Sequence, residues 1–158
     1  MYKINKDWSE MTDIEQRKTL AQDVIDQVKA GWVIPQAGYY CLLKVDTKGL
    51  QANLQTKESC EVCAMGSLMV ASIIKTNEYE GLWNDYDIED RLSDIFSKGH
   101  LRMIEAAFEK DDILFLETIE IESAVDFGYN YANKEERLIA IMENIINDEN
   151  GKFLSCEF

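Results

Sequence analysis

Cys60-Glu61-Val62-Cys63 is the one short motif in this chain whose residue types and spacing suit chemistry. A helix N-terminus stabilises a thiolate through its dipole, and the apolar run after Cys60 reads as a helix starting at this motif. Three chemistries use such a cysteine. A thioredoxin-type redox pair is one, but the strand–helix–strand frame it needs is missing upstream. A zinc site needs two more ligands, and Cys41, Cys156 and His100 are scattered without a second knuckle. A papain-like nucleophile is the third, with Cys63 as thiolate and His100, the single histidine, as its base. Against all three stands the plainer reading of two small buried hydrophobes, and of His100 as a helix-start or surface residue. Four cysteines in a chain that shows no export signal imply reduced thiols.

Carboxylates are the second resource. Thirty Asp and Glu oppose sixteen Lys and Arg among 158 residues, a formal net charge of −14. Residues 1–76 hold nine acids and nine bases, whereas residues 77–158 hold twenty-one acids and seven bases. The whole imbalance therefore sits in the second half. Direct binding to nucleic acid is excluded as an expectation, because phosphate contact depends on Lys and Arg displacing counterions. A basic partner surface, a bound cation or plain solvation remain. The run Asp85, Asp87, Glu89, Asp90 fails as an EF-hand loop, since Asp90 stands where Gly is required and Phe96 where the bidentate Glu belongs. Neither a metal nor a cofactor is expected. Phosphate-binding glycine patterns and Gly-x-Ser-x-Gly are absent, which removes support from the common nucleotide-dependent and serine-hydrolase classes.

Aromatics fall beside the connections: Trp32, Tyr39, Tyr40, Trp83, Tyr86, Tyr129 and Tyr131. They are read either as edges of the core or as recognition groups. Trp83 and Tyr86 favour recognition, because the acids around them suit an Arg-rich partner through stacking and ion pairing. The expected partner-binding set is Trp83, Asp85, Tyr86, Asp87, Glu89, Asp90, Asp94, Glu117, Glu120 and Glu122.

The elements that would position these groups follow from periodicity. Thr12 and Glu15 have capping-box spacing, and Leu20, Ala21, Val24, Ile25 and Val28 share one helical face that Gly31 ends. The chain turns over residues 31–35. Tyr39–Val45 and Leu50–Gln55 read as a hairpin about Asp46-Thr47-Lys48-Gly49. Residues 60–75, with Ser59 as N-cap, are apolar nearly all round and read as the central buried helix. Further helices are expected from Ile88, capped by Asp87 and closed by Gly99, from Leu101 to Glu109, and from Lys134 to Ile146, capped by Asn133 and Glu136. Ile119 and Ile121 alternate with Glu120 and Glu122, so residues 113–127 lean towards a strand. The fold class is α+β: about five helices around a central buried helix (60–75) with a small β-hairpin (39–55), in one globular domain spanning 1–158. No apolar run reaches the ~18 residues of a membrane span, and the first 25 residues read as neither signal nor transit peptide. A cytoplasmic protein is expected.

Cys60-Glu-Val-Cys-Ala-Met-Gly-Ser, Ile104-Glu-Ala-Ala-Phe-Glu109 and the stretch Arg137–Ile146 resemble a loose group of small bacteriophage and mobile-element proteins. That group has no established activity, so the resemblance carries over no functional residue. It implies an intracellular phage or host context, in which acidic inhibitors of DNA-binding defence proteins are a recurring theme. The leading reading is a non-enzymatic inhibitor whose acidic half occupies a basic, nucleic-acid-binding surface. The second is a cysteine-dependent enzyme using Cys63 and His100. The third is a small-ligand binder using the loop aromatics.

Overall fold

A computed structural model describes residues 1–38, 42–43, 59–78, 85–110 and 119–147. Among them are six α-helices and a three-stranded sheet, an α+β architecture. A short 3-10 turn, Trp8–Glu10, precedes helix α1, Asp13–Lys29. Thr12 Oγ1 accepts the Glu15 N–H at 3.3 Å and Glu15 Oε2 accepts the Thr12 N–H at 2.8 Å, so the expected capping box forms. The expected apolar face of α1 is buried, and Gly31 takes the left-handed φ of 81° that turns the chain out of the helix.

The residues expected to turn are a strand, β1, Val33–Pro35. It runs parallel to β3, Cys60–Val62, with Val33 opposite Cys60 and Pro35 opposite Val62. Strand β2, Leu42–Leu43, lies antiparallel on the other side of β3, with Leu43 opposite Cys60. Pro35 can stand here because β1 is an edge strand and its missing N–H costs no ladder bond. Leu42 and Leu43 fall within the first expected hairpin strand, but they pair with β3. Leu50–Gln55, the expected return strand, lies outside the described residues.

The central helix therefore starts later than the apolar run does. Its first three residues are β3, in which Cys60 and Val62 point into the core and Glu61 is half-buried. Helix α2 is Ala64–Thr76, and its N-cap is Cys63 where Ser59 was expected. Every residue from Ala64 to Ile73 is buried, and Ser67 satisfies its hydroxyl on the Ala64 carbonyl at 2.7 Å. An apolar run without periodicity fits a buried strand as well as a buried helix, so the pattern alone does not mark the strand–helix boundary at Cys63.

Helix α3 is Asp85–Ser93, with Leu92 buried. It closes through Ile95 and Phe96 N–H groups donating to the Leu92 carbonyl, so Gly99 does not end it. Gly99 lies in the first turn of helix α4, Lys98–Glu109, whose N-cap Ser97 accepts the His100 N–H at 3.2 Å. Residues 119–129 form helix α5, Ile119–Tyr129, which corrects the strand expected there. Its inward face is Ile121, Ala124, Val125 and Gly128, a helical spacing that the alternating glutamates masked. Helix α6, Lys134–Asn147, begins as expected at Asn133, whose Oδ1 accepts the Glu135 and Glu136 N–H groups at 2.8 and 3.2 Å.

Helix α1 packs on α6 and α4 packs on α5, while α2 touches α1, α3, α4 and the sheet. Buried side chains from all six helices and from β1 and β3 join in one apolar cluster. No helix among the described residues is long and apolar enough to cross a membrane.

Candidate functional site

The Cys60-Glu61-Val62-Cys63 motif is built into the core. Cys63 is buried, and its Sγ accepts the Gly66 N–H at 3.4 Å as the cap of α2. Burial pushes the thiol up to about 12, and the carboxylates of Glu109 and Glu105 add to the rise. The Gly66 and Met65 backbone N–H groups oppose this rise but do not overcome it. A nucleophile needs the opposite shift and access to a substrate. His100 is half-exposed in the first turn of α4, and Cys60 is fully buried in β3. Among the described residues no group of three or more His, Cys, Asp and Glu is arranged to hold a metal ion.

The acidic set spreads over α3 and α5. Asp85, Tyr86 and Asp87 open α3, where the helix dipole favours acids. Glu89 follows half-buried, Asp90 is exposed, and Asp94 is exposed just beyond the helix end. Glu120 lies in the first turn of α5 and Glu122 is exposed in its second. Trp83 and Glu117 lie outside the described residues.

Sequence reasoning missed several acids. Glu105, half-buried on α4, has its pKa raised by desolvation first and then by the charges of Glu109 and Glu89, with Arg102 opposing. Glu109 accepts the Gly38 N–H on both carboxylate oxygens at 3.1 Å, tying the turn after β1 to the end of α4. Glu105 and Glu109 flank the buried positions Ile104 and Phe108, and that adjacency was readable in the sequence. Asp126 joins Glu122 one turn apart on α5, and Glu135, Glu136 and Glu143 are exposed on α6.

Most of the described cations of this half have partners within the chain. Arg91 bonds Thr76 at 3.0 Å and Glu78 at 3.3 Å, and Lys110 lies 5.2 Å from the centre of the Tyr129 ring. Lys134 donates to Gln36 at 2.9 Å, and Arg137, 3% exposed, donates to backbone carbonyls. Lys98 and Arg102 are exposed on α4. Asp90, Asp94, Glu122, Asp126, Glu135, Glu136 and Glu143 are exposed and carry no salt bridge among the described residues. The second half therefore turns carboxylates to water while most of its described cations make contacts within the fold.

No family model, no curated protein and no solved structure matches this chain.

Proposed function

We propose that the protein is a non-enzymatic interaction protein whose acidic helices occupy a basic surface of a partner, one that otherwise holds nucleic acid. The observation that carries this reading is the set of exposed carboxylates on and beside α3, α5 and α6 that lack an intramolecular counter-ion among the described residues. Like charges one helical turn apart, as at Glu122 and Asp126, destabilise a helix by roughly 0.2–0.5 kcal/mol per pair. Such repulsion brings the folded chain nothing, whereas an approaching Lys/Arg-rich surface relieves it and is steered by the same field. The burial of Cys63 and its raised pKa weigh against the cysteine-enzyme alternative with His100. The phage-protein resemblance suggests a context, in which the partner is a defence nuclease of the host cell.

The test is titration of the full chain against Lys/Arg-rich nucleases at low and high ionic strength, with competing duplex DNA. Tight binding at low salt, weakening steeply with added salt and displaced by DNA, supports the reading. No binding at low salt, or binding indifferent to salt, removes its basis.

A further inference from the structure

We infer that the outward face of α5, formed by Glu122, Asp126 and Tyr129, is where the basic partner docks, and that the Tyr129 ring receives an arginine side chain of that partner. The inference rests on the acidic-surface reading and deepens it, by naming the place of contact and the residue type received.

The three residues are exposed and follow one another at i, i+4, i+7, so they form one stripe along α5. At 1.5 Å per residue the stripe is about 10 Å long. Ile121, Ala124, Val125 and Gly128 turn the other way, into the core. Neither carboxylate of the stripe carries a salt bridge among the described residues.

An exposed aromatic is ordinary by itself, but Tyr129, 63% exposed, is held in place and already carries a cation. Its hydroxyl donates to the Lys110 carbonyl at 3.3 Å, which fixes the ring, and Lys110 Nζ stands 5.2 Å from the ring centre. Both contacts follow from the close packing of α5 on α4. The Lys110 stem passes over Gly128, where a Cβ would lie 3.2 Å from the lysine Cγ. The ring is thus a preset cation platform beside two carboxylates that have no ion-pair partner of their own.

That combination selects among occupants. A phosphate or carboxylate is repelled by Glu122 and Asp126, and an apolar surface would desolvate both without pairing them. A partner lysine offers the ring nothing that Lys110 does not. A guanidinium is planar and more weakly hydrated than an ammonium, so it stacks on the ring in place of Lys110. Its donor fork then lies beside Asp126, one turn back on the same stripe. Glu122, a further turn back, pairs a second cation.

Two alanine-rich helical peptides of equal length and charge, one with arginines and one with lysines at i, i+4, i+7, test this by NMR titration into isotope-labelled full-length protein at low ionic strength. The arginine peptide should shift the Tyr129 ring and Lys110 side-chain signals saturably and bind about threefold more tightly than the lysine peptide. Tyr129→Leu keeps an apolar side chain without the ring and should bring the two peptides level. Asp126→Asn should weaken both and leave the arginine preference in place. Both positions are exposed, so both variants should fold. Equal binding of the two peptides to wild type, an arginine preference that survives Tyr129→Leu, or shifts centred away from residues 122–129 overturns the inference. So does the lack of a saturable shift at millimolar peptide. In each of these cases the acidic-surface reading stands if Lys/Arg-rich nucleases still bind at low salt and falls as well if they do not.

Discussion

Arg137 of α6 donates from Nη1 to the Phe108 carbonyl in the last turn of α4 at 2.7 Å, and its guanidinium carbon stands 5.9 Å from the centre of the Phe108 ring. The same side chain donates to the Tyr131 carbonyl at 3.0 Å and the Ala132 carbonyl at 3.2 Å. One cation thus closes the C-terminal end of α4 and the link from α5 to α6, where a helix dipole welcomes positive charge. Burial lowers its pKa, Glu109 offsets only part of that shift, and a guanidinium keeps its charge throughout.

Replacing Arg137 should therefore be costly. Arg137→Ala leaves the carbonyls of Phe108, Tyr131 and Ala132 without this donor and should lose about 3 kcal/mol of unfolding free energy in urea titration. Arg137→Lys keeps the charge but cannot fork, and should recover only part of that loss. An alanine variant within about 0.5 kcal/mol of wild type would show that the clamp contributes nothing.

Gly128 makes the second prediction. A Cβ built on it overlaps the Ala107 carbonyl oxygen and stands 2.9 Å from the carbonyl carbon, so backbone must move. Gly128→Ala should force α4 and α5 apart and lower stability by about 3 kcal/mol, despite the better helix propensity of Ala. A melting temperature at or above that of wild type would mean the two helices do not meet this closely.

These two residues also show where the sequence was legible. Helix caps write themselves in short polar spacings, so Thr12 with Glu15 and Asn133 with Glu136 marked their helix starts correctly. The faces of α1 and α6 were equally readable, because solvent on one side enforces periodicity. Residues 60–63 were not, since a segment buried on all sides carries no period to distinguish strand from helix. Residues 119–129 misled for the opposite reason: Glu120 and Glu122 happen to alternate with Ile119 and Ile121, and only the partner helix reveals Ala124 and Gly128 as contacts. Arg137 carries no sequence signal of its role, because nothing local says that carbonyls from two other segments will converge on it. The acidic bias of the second half was plain from composition, but the partners that engage its cations are set by tertiary structure.

Cysteine accessibility gives a third test. Cys60 and Cys63 are buried, and Cys63 is shifted away from thiolate at neutral pH. Peptide-mapped alkylation of the native chain should leave both unmodified on the timescale of a free thiol, and labelling should begin only as denaturant unfolds the protein. Rapid modification of Cys63 in the native state would revive the nucleophile reading.

Glu105 gives a pH dependence of defined sign. Its folded-state pKa is raised above the ordinary 4.5 by burial and by Glu109 and Glu89. Between those two values the native chain holds a proton that the unfolded chain has released, so this residue's contribution to stability falls as pH rises through the window. Glu105→Gln removes the titration. The variant should match wild type in acid and be the more stable form at neutral pH, with the gap opening above pH 4.5. Comparing the two proteins isolates Glu105 from Asp23, whose pKa burial also raises. A gap that is constant with pH, or that closes at neutral pH, would contradict the assignment.

The acidic surface makes the last prediction. Glu122 and Asp126 lie one turn apart on α5, and Glu136 and Glu143 two turns apart on α6; all four are exposed without a salt bridge among the described residues. Reversing a pair, as in Glu122→Lys with Asp126→Lys, keeps a like-charge pair on the helix and only changes its sign, so stability should change by no more than about 0.5 kcal/mol. Association with a basic partner should instead slow by about tenfold at low ionic strength, with a smaller change in dissociation, because exposed charges act mainly on encounter. The difference should shrink in high salt as the Debye length contracts. Reversing Asp7 and Glu10, in the electroneutral half, should have much less effect on that rate. If both reversals slow association equally, total charge alone governs the encounter and the acidic helices have no special part in it.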